Sequence, residues 1–189
     1  MTWLAEAHSV AAAEKILDAA AELFIRDGVA NVGMNEIATA AGCSRATLYR
    51  YFENRTILRI AYLHREARAI SQQLIDSVVD ITDPAERLTA AILNTLAIVR
   101  ENPAWSAWFR PDDAPIGGEL ASHSEVVTAI GAAFVESLGN KNIDLDTDLR
   151  ARWILRIILS LLTYPENNPD DERALITNYL TPVIIAANY

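Results

Sequence analysis

Apolar residues along this chain return at intervals of three and four, and no run of strand length alternates at intervals of two. Ala13, Ile16, Leu17, Ala20, Leu23 and Phe24 trace one face of a first helix, with Ser9 placed to cap its start. Gly28 stands where that helix should stop, because glycine takes the left-handed conformation of a helix end without a side-chain penalty. A short helix over 34–41 follows and ends at Gly42. Ser44 then caps a second short helix over 45–52, and Asn54 caps a long one reaching about Asp80, with Ile57, Leu58, Ala61 and Tyr62 continuing the apolar stripe. Asp83-Pro84 opens the next helix, proline taking its favoured first position, and that helix lasts to about Arg100. Asn102-Pro103 starts a short aromatic helix broken by Pro111 and Pro115. Helices over 118–138, 146–163 and 169–187 complete a count of about nine, separated by Gly139-Asn140 and by the Pro165–Pro169 turn. The pattern predicts an all-α protein without repeats or low-complexity linkers.

The last two helices differ from the rest. The stretch RWILRIILSLL is apolar around most of its circumference, and Leu175, Tyr179, Leu180, Val183, Ile184 and Ala187 form a broad stripe on the final helix. Both helices could lie in a monomer core. In a chain this short they point instead to a four-helix subunit interface, with Trp153, Ile154, Ile157, Ile158, Leu161, Tyr179, Leu180, Val183 and Ile184 facing a second copy.

Composition narrows the classes. About half of the 189 residues are apolar, enough to bury a sizeable core and to set disorder aside. Cys43 is the only cysteine, so no intrachain disulfide forms, and it reads as a small apolar residue. His8, His64 and His123 are too far apart in sequence to suggest a metal site. No basic start precedes a long apolar run at the N-terminus, and the Trp153–Leu162 stretch is interrupted by Arg156 and too short to span a bilayer, so a cytoplasmic, non-membrane protein is expected. The net charge of −9 looks unfavourable for nucleic acid, but its distribution matters more. Between Arg45 and Arg68 six arginines face Glu53 and Glu66, a balance of +4, whereas the chain from Glu101 onward carries six basic and thirteen acidic residues, a balance of −7. A short basic surface on an acidic body suits one DNA-facing end.

Residues 34–52 read MNEIATAAGCSRATLYRYF. Two short helices around a glycine turn make a helix-turn-helix, which lays its second helix in the major groove. Ile37, Ala38, Ala41 and Leu48 would face the first helix of the chain, while Arg45, Ala46, Thr47, Tyr49, Arg50 and Tyr51 are exposed. Arginine reads guanine through paired hydrogen bonds, Thr and Ala meet a thymine methyl, and tyrosine hydroxyls hold phosphates.

The combination of ILDAAAELFIRDG with EIATAAGCSRATLYRYFENRTIL strongly resembles the TetR family of bacterial repressors over residues 13 to 62. The family's Leu-Tyr-x-His/Tyr-Phe run followed by Lys is matched by Leu48, Tyr49, Tyr51, Phe52 and Arg55. The resemblance implies an N-terminal DNA-binding domain over 1–53 and a C-terminal effector-binding and dimerisation domain over 54–189. It implies that Arg45, Ala46, Thr47 and Tyr51 face the bases and that Tyr49 and Arg55 grip phosphates; the exposed Arg50 is assigned to phosphate beside them. It departs from the family at Gly33, where a capping Thr or Ser usually contacts phosphate, and Arg55 replaces the usual Lys with its charge kept.

The same resemblance implies a small-molecule site among the C-terminal helices. Trp105, Trp108 and Phe109 recur at helical spacing and, with Tyr62 and Trp153, could line an aromatic cavity; the same spacing also suits an ordinary core face. The sequence holds no P-loop, G-x-G-x-x-G, H-E-x-x-H or G-x-S-x-G, so neither enzyme nor cofactor is expected. The expected function is a homodimeric repressor of double-stranded operator DNA, released by a small apolar or aromatic effector. The alternative is a helical small-molecule-binding module without DNA binding.

Overall fold

The structure is a computed structural model that describes residues 2–139 and 147–185, with side chains described from residue 9. The expected helix start at Asp146 and the stripe position Ala187 lie outside the described residues, as do the side chain of His8 and residue Asn140 of the expected break. The described residues form helices joined by turns, without strands. Helix α1 (Thr2–Asp27) starts earlier than Ser9 suggested, because an alanine-rich segment extends a helix readily. It stops at Gly28, whose φ of +83° is the left-handed conformation expected there. Helices α2 (Met34–Ala40) and α3 (Arg45–Tyr51) follow, then α4 (Arg55–Val78) and α5 (Pro84–Glu101). The short α6 (Pro103–Ser106) continues as a 3₁₀ turn over Ala107–Phe109.

A single helix over 118–138 does not form. The chain instead makes α7 (Ala114–Ser122) and α8 (Glu125–Ser137), interrupted at His123-Ser124. Ser124 Oγ accepts from the Val127 N–H at 3.2 Å, a local bond that competes with helix continuation and caps α8. Helix α9 (Thr147–Thr163) leads to α10 (Pro169–Leu175), which runs through a π-helical turn (Ile176–Leu180) into α11 (Thr181–Ile185). The capping signals legible in sequence are used: Asn54 Oδ1 accepts from Ile57 N–H at 2.9 Å, and Asp83 Oδ1 from Glu86 N–H at 2.8 Å.

Helix α4 packs against α1 at one end and α5, α7 and α8 further along, so one rigid element joins the N-terminal head to the C-terminal body. A second joint is aromatic. Phe24 of α1 meets the rings of Tyr62 and Trp108 edge-on, at 5.5 and 5.4 Å, and the latter two stack at 5.6 Å. All three are fully buried. Arg65 adds a polar tie at the surface, pairing with Glu14 and Asp18 of α1 as well as with Glu66. No described helix is long and apolar enough to cross a membrane.

Candidate nucleic-acid interface and ligand cavity

The turn between α2 and α3 is built from its backbone. Gly42 takes φ +65°, which lets the Gly42 N–H reach Thr39 O at 3.1 Å and the Cys43 N–H reach Ala38 O at 3.0 Å. These two bonds satisfy carbonyls that the end of α2 leaves open. Ser44 Oγ then accepts from Thr47 N–H at 3.0 Å to cap α3. Ile37, Ala38 and Ala41 of the α2 segment and Leu48 of α3 are buried, and Leu48 anchors α3 so that its opposite side meets solvent. Arg45, Ala46, Tyr49 and Arg50 are exposed, while Thr47 and Tyr51 are half-buried, with the Arg50 guanidinium 5.3 Å from the Tyr51 ring. Gly33 caps α2 in extended conformation and supplies no side-chain bond.

The basic window is smaller in space than in sequence. Arg59 is buried and donates to Val29 O, and Arg65 is held by three carboxylates. Burial, with help from the neighbouring Arg55, pushes the Arg59 guanidinium down to about 10, and Asp113 opposes that shift. Arg45, Arg50, Arg55 and Arg68 are left at the surface. Arg55 also donates to Ala30 O at 3.2 Å, so its stem is set against the α1–α2 loop.

That loop is gripped from the body as well. Asp113, from the segment joining the 3₁₀ turn to α7, is only 3% exposed and accepts from Ala30 N–H at 2.6 Å. Gly28 allows the approach: a Cβ there would stand 3.0 Å from Asp113 Oδ2. Arg110 donates to Ile25 O at 2.9 Å. Asp113, Arg110 and the buried role of Arg59 were not legible in sequence, although the polar residues between Pro111 and Pro115 mark a turn that has to be tied down.

A cavity of about 170 Å³ lies among α4, α5, α8 and α9. Of the five aromatic residues expected around it, Trp105 and Phe109 border it, and Tyr62, Trp108 and Trp153 do not. Tyr62 and Trp108 are core residues instead, because their rings fill the joint between head and body, and the buried Tyr62 hydroxyl has no hydrogen-bond partner. Burial raises that hydroxyl well above the usual tyrosine range, with Glu66 acting in the same direction. Trp153 is 47% exposed on the outer face of α9.

The expected subunit-interface residues divide by helix face. Ile154, Leu161, Leu180 and Ile184 belong to the monomer core, and Ile157 and Ile158 are half-buried, with Ile154 and Ile158 on the cavity wall. Helix α9 needs an inward face for α5 and α8, which takes up half of its apolar circumference. Trp153, Tyr179 and Val183 point outward, the latter two 72% and 63% exposed, and Tyr164 and Leu175 add to the exposed apolar residues of this part of the chain.

The family model describing bacterial regulatory proteins of the tetR family matches residues 16–62, the segment holding the helix-turn-helix. The chain is 48% identical over 186 residues to the uncharacterized HTH-type transcriptional regulator Rv1255c of Mycobacterium tuberculosis, covering 98% of this chain and 92% of that one. It is 35% identical over 140 residues to the HTH-type transcriptional activator FasR of Mycolicibacterium smegmatis, covering 74% of this chain and 64% of that one. Among solved structures, the TetR family repressor AlkX from Dietzia sp. strain DQ12-45-1b, implicated in biodegradation of n-alkanes, superimposes with a TM-score of 0.68 at 24% identity, over 90% of this chain and 93% of that one. The module without DNA binding is thereby set aside, as is an enzyme: the chain belongs to the TetR family of bacterial helix-turn-helix transcriptional regulators.

Proposed function

We propose that this protein is a homodimeric repressor whose hold on operator DNA is loosened by a small apolar ligand in the body cavity. One observation carries the reading: the exposed basic face of α3 belongs to a helix packed on α2, and the loop leading into α2 is gripped by Asp113, four residues beyond the cavity-wall residue Phe109. Arg45, Ala46, Thr47 and Tyr51 read base edges, and Tyr49, Arg50 and Arg55 hold phosphates. Residues 1–53 act as the reading head and 54–189 as the effector and dimerisation domain. Trp153, Tyr179 and Val183, exposed and apolar, seat the second copy, which spaces two α3 helices about 34–36 Å apart for successive major-groove turns.

The route from cavity to head is short. Phe109 borders the cavity and is followed directly by Arg110, which bonds Ile25 O, while Asp113 three residues later bonds the Ala30 N–H. Trp105, also on the wall, lies 6.4 Å from Trp108, which meets Phe24 of α1. A ligand that favours a displaced α6 shifts the population of head orientations by its differential affinity for the two states and no further. Repression is the mode named for AlkX, and activation the mode named for FasR. Selecting bound DNA from a random pool, then measuring transcription from a promoter carrying the selected site with and without protein, tests the reading. Transcription that rises on protein addition, or no selected sequence, overturns it.

A further inference from the structure

We infer that the second copy docks with its α9–α11 hairpin reversed end for end against the first, and that Arg152 of each copy pairs with the partner's Asp171. The inference rests on the homodimer reading above and specifies how that surface chooses its partner. Within one copy, α9 and the run from α10 to α11 are antiparallel. Arg150, at the start of α9, donates to Ile184 O near the end of α11. Arg100 donates both to Leu161 O and to the Glu172 carboxylate, which sets the end of α9 level with the start of α10. The hairpin therefore shows one outward face, with Trp153 on α9 and Leu175, Tyr179 and Val183 on its neighbour. The π-helical turn over Ile176–Leu180 keeps the neighbour's row straight. A step of four residues overshoots one turn of an α-helix and undershoots one turn of the wider π-helix, so the drifts offset and Asp171, Leu175, Tyr179 and Val183 fall in line.

The charges of this face are sorted by end. At the start of α9 stand the exposed Arg152 and, one turn on, Arg156, against Asp148 as the single exposed acid among the described residues there. At the other end the turn and the start of α10 expose Glu166, Asp170 and Asp171. Arg173 borders a groove against α5 instead. Among the described residues, Arg152, Arg156, Asp170 and Asp171 enter no ion pair. A closed homodimer is two-fold symmetric, and the axis can relate two hairpins in two ways. An axis along the hairpin sets like ends side by side, so the acidic end of one copy meets the acidic end of the other. An axis across it sets the acidic end of each copy against the arginine end of its partner. Like charges facing each other across an interface are costly, so this surface selects the reversed arrangement. With the axis at mid-height, Arg152 lies about three residues, roughly 4.5 Å of helix, from the level of the partner's Asp171, within reach of an extended arginine. Trp153 then comes level with the partner's Leu175, and the apolar rows close between the two ion pairs.

Charge exchange followed by sedimentation of the full chain at low ionic strength tests this, with circular dichroism checking that each variant stays helical. Arg152→Asp and Asp171→Arg should each raise the homodimer dissociation constant about ten-fold or more, because each turns two attractive pairs into two repulsive ones. Mixed in equal amounts, the two variants should form mainly the heterodimer, well above the roughly one half of random pairing, since both of its contacts again join opposite charges. The double variant in one chain should recover wild-type affinity. Where a reversal does not fold, Arg152→Gln and Asp171→Asn decide the matter: combined, they should weaken the dimer no more than either does alone, and additive losses overturn the pairing. Reversal variants that dimerise like the wild type, or a mixture at random pairing, overturn the inference and leave the homodimer reading standing. A wild-type chain that sediments only as a monomer refutes the homodimer reading and the inference with it.

Discussion

Replacing Asp113 by alanine removes the body's acceptor for the Ala30 N–H and leaves the rest of the α1–α2 loop in place. A hydrogen bond to a charged group contributes about 1.5–3 kcal/mol, and here the carboxylate is buried and the bond is short. For a chain of this size, each kcal/mol moves the midpoint by roughly 2–4 °C, so Asp113→Ala should melt about 3–12 °C lower. Stability alone does not separate a tether from a transmitter. The separating measurement is operator affinity with and without a compound that releases the wild-type protein. If the clasp carries the signal, Asp113→Ala binds that compound with wild-type affinity, and the ratio of the two operator affinities collapses toward one. Asp113→Asn, which keeps a carbonyl acceptor for Ala30, should retain most of the ratio. Gly28→Ala places a methyl 3.0 Å from Asp113 Oδ2 at a φ that disfavours it, and should weaken the response like the alanine variant. An Asp113→Ala protein with an undiminished effector response refutes the route.

Trp108→Ala should destabilise the fold by about 3–5 kcal/mol in thermal unfolding, because it empties the stack between Phe24 and Tyr62; a cost below ~1 kcal/mol would contradict its place in the core. Tyr179→Asp combined with Val183→Asp should give a folded monomer in sedimentation, whereas Ile184→Asp should unfold the chain, since only Ile184 is buried within one copy. Arg45→Ala should cost about 1–3 kcal/mol in operator affinity and relax preference at one base pair per half-site, while Arg55→Ala should weaken all sequences alike and reduce the salt slope by about one. His64, bonded to Ser124 at 3.0 Å, is held below its ordinary 6.5 by burial and then by Arg68. The unfolded chain therefore takes up that proton first, so stability should fall as pH drops through about 6.5, and a His64→Gln protein should show a smaller decline between pH 7.5 and 5.5.

Local chemistry alone determined most of the helices and their ends, the start of α1 and the break between α7 and α8 excepted. Ser44, Asn54 and Asp83 cap helices with their own side chains, and Gly28 and Gly42 turn the chain with their own backbone, so each was readable within a few residues. The helix-turn-helix was legible for the same reason, being a contiguous segment whose buried and exposed positions follow from helical period. The break at Ser124 lay within reach of the same logic, but the apolar run on either side masked it. Tertiary structure decided everything that depends on which neighbour a side chain meets. Helical spacing cannot say which tryptophan borders a cavity: Trp105 and Trp108, three residues apart, both lie against the Tyr62 ring, but only Trp105 is on the cavity wall. Nor can it say which half of an all-round apolar helix turns inward, so Ile154 and Trp153, adjacent in sequence, part between core and surface. Arg59 counts as surface charge until the fold brings it to Val29 O, and Asp113 becomes a contact to the head only when a chain segment 83 residues away is laid beside it. Such pairings are set by the packing of whole helices, which minimises buried unpaired groups over the entire molecule rather than within any window of sequence.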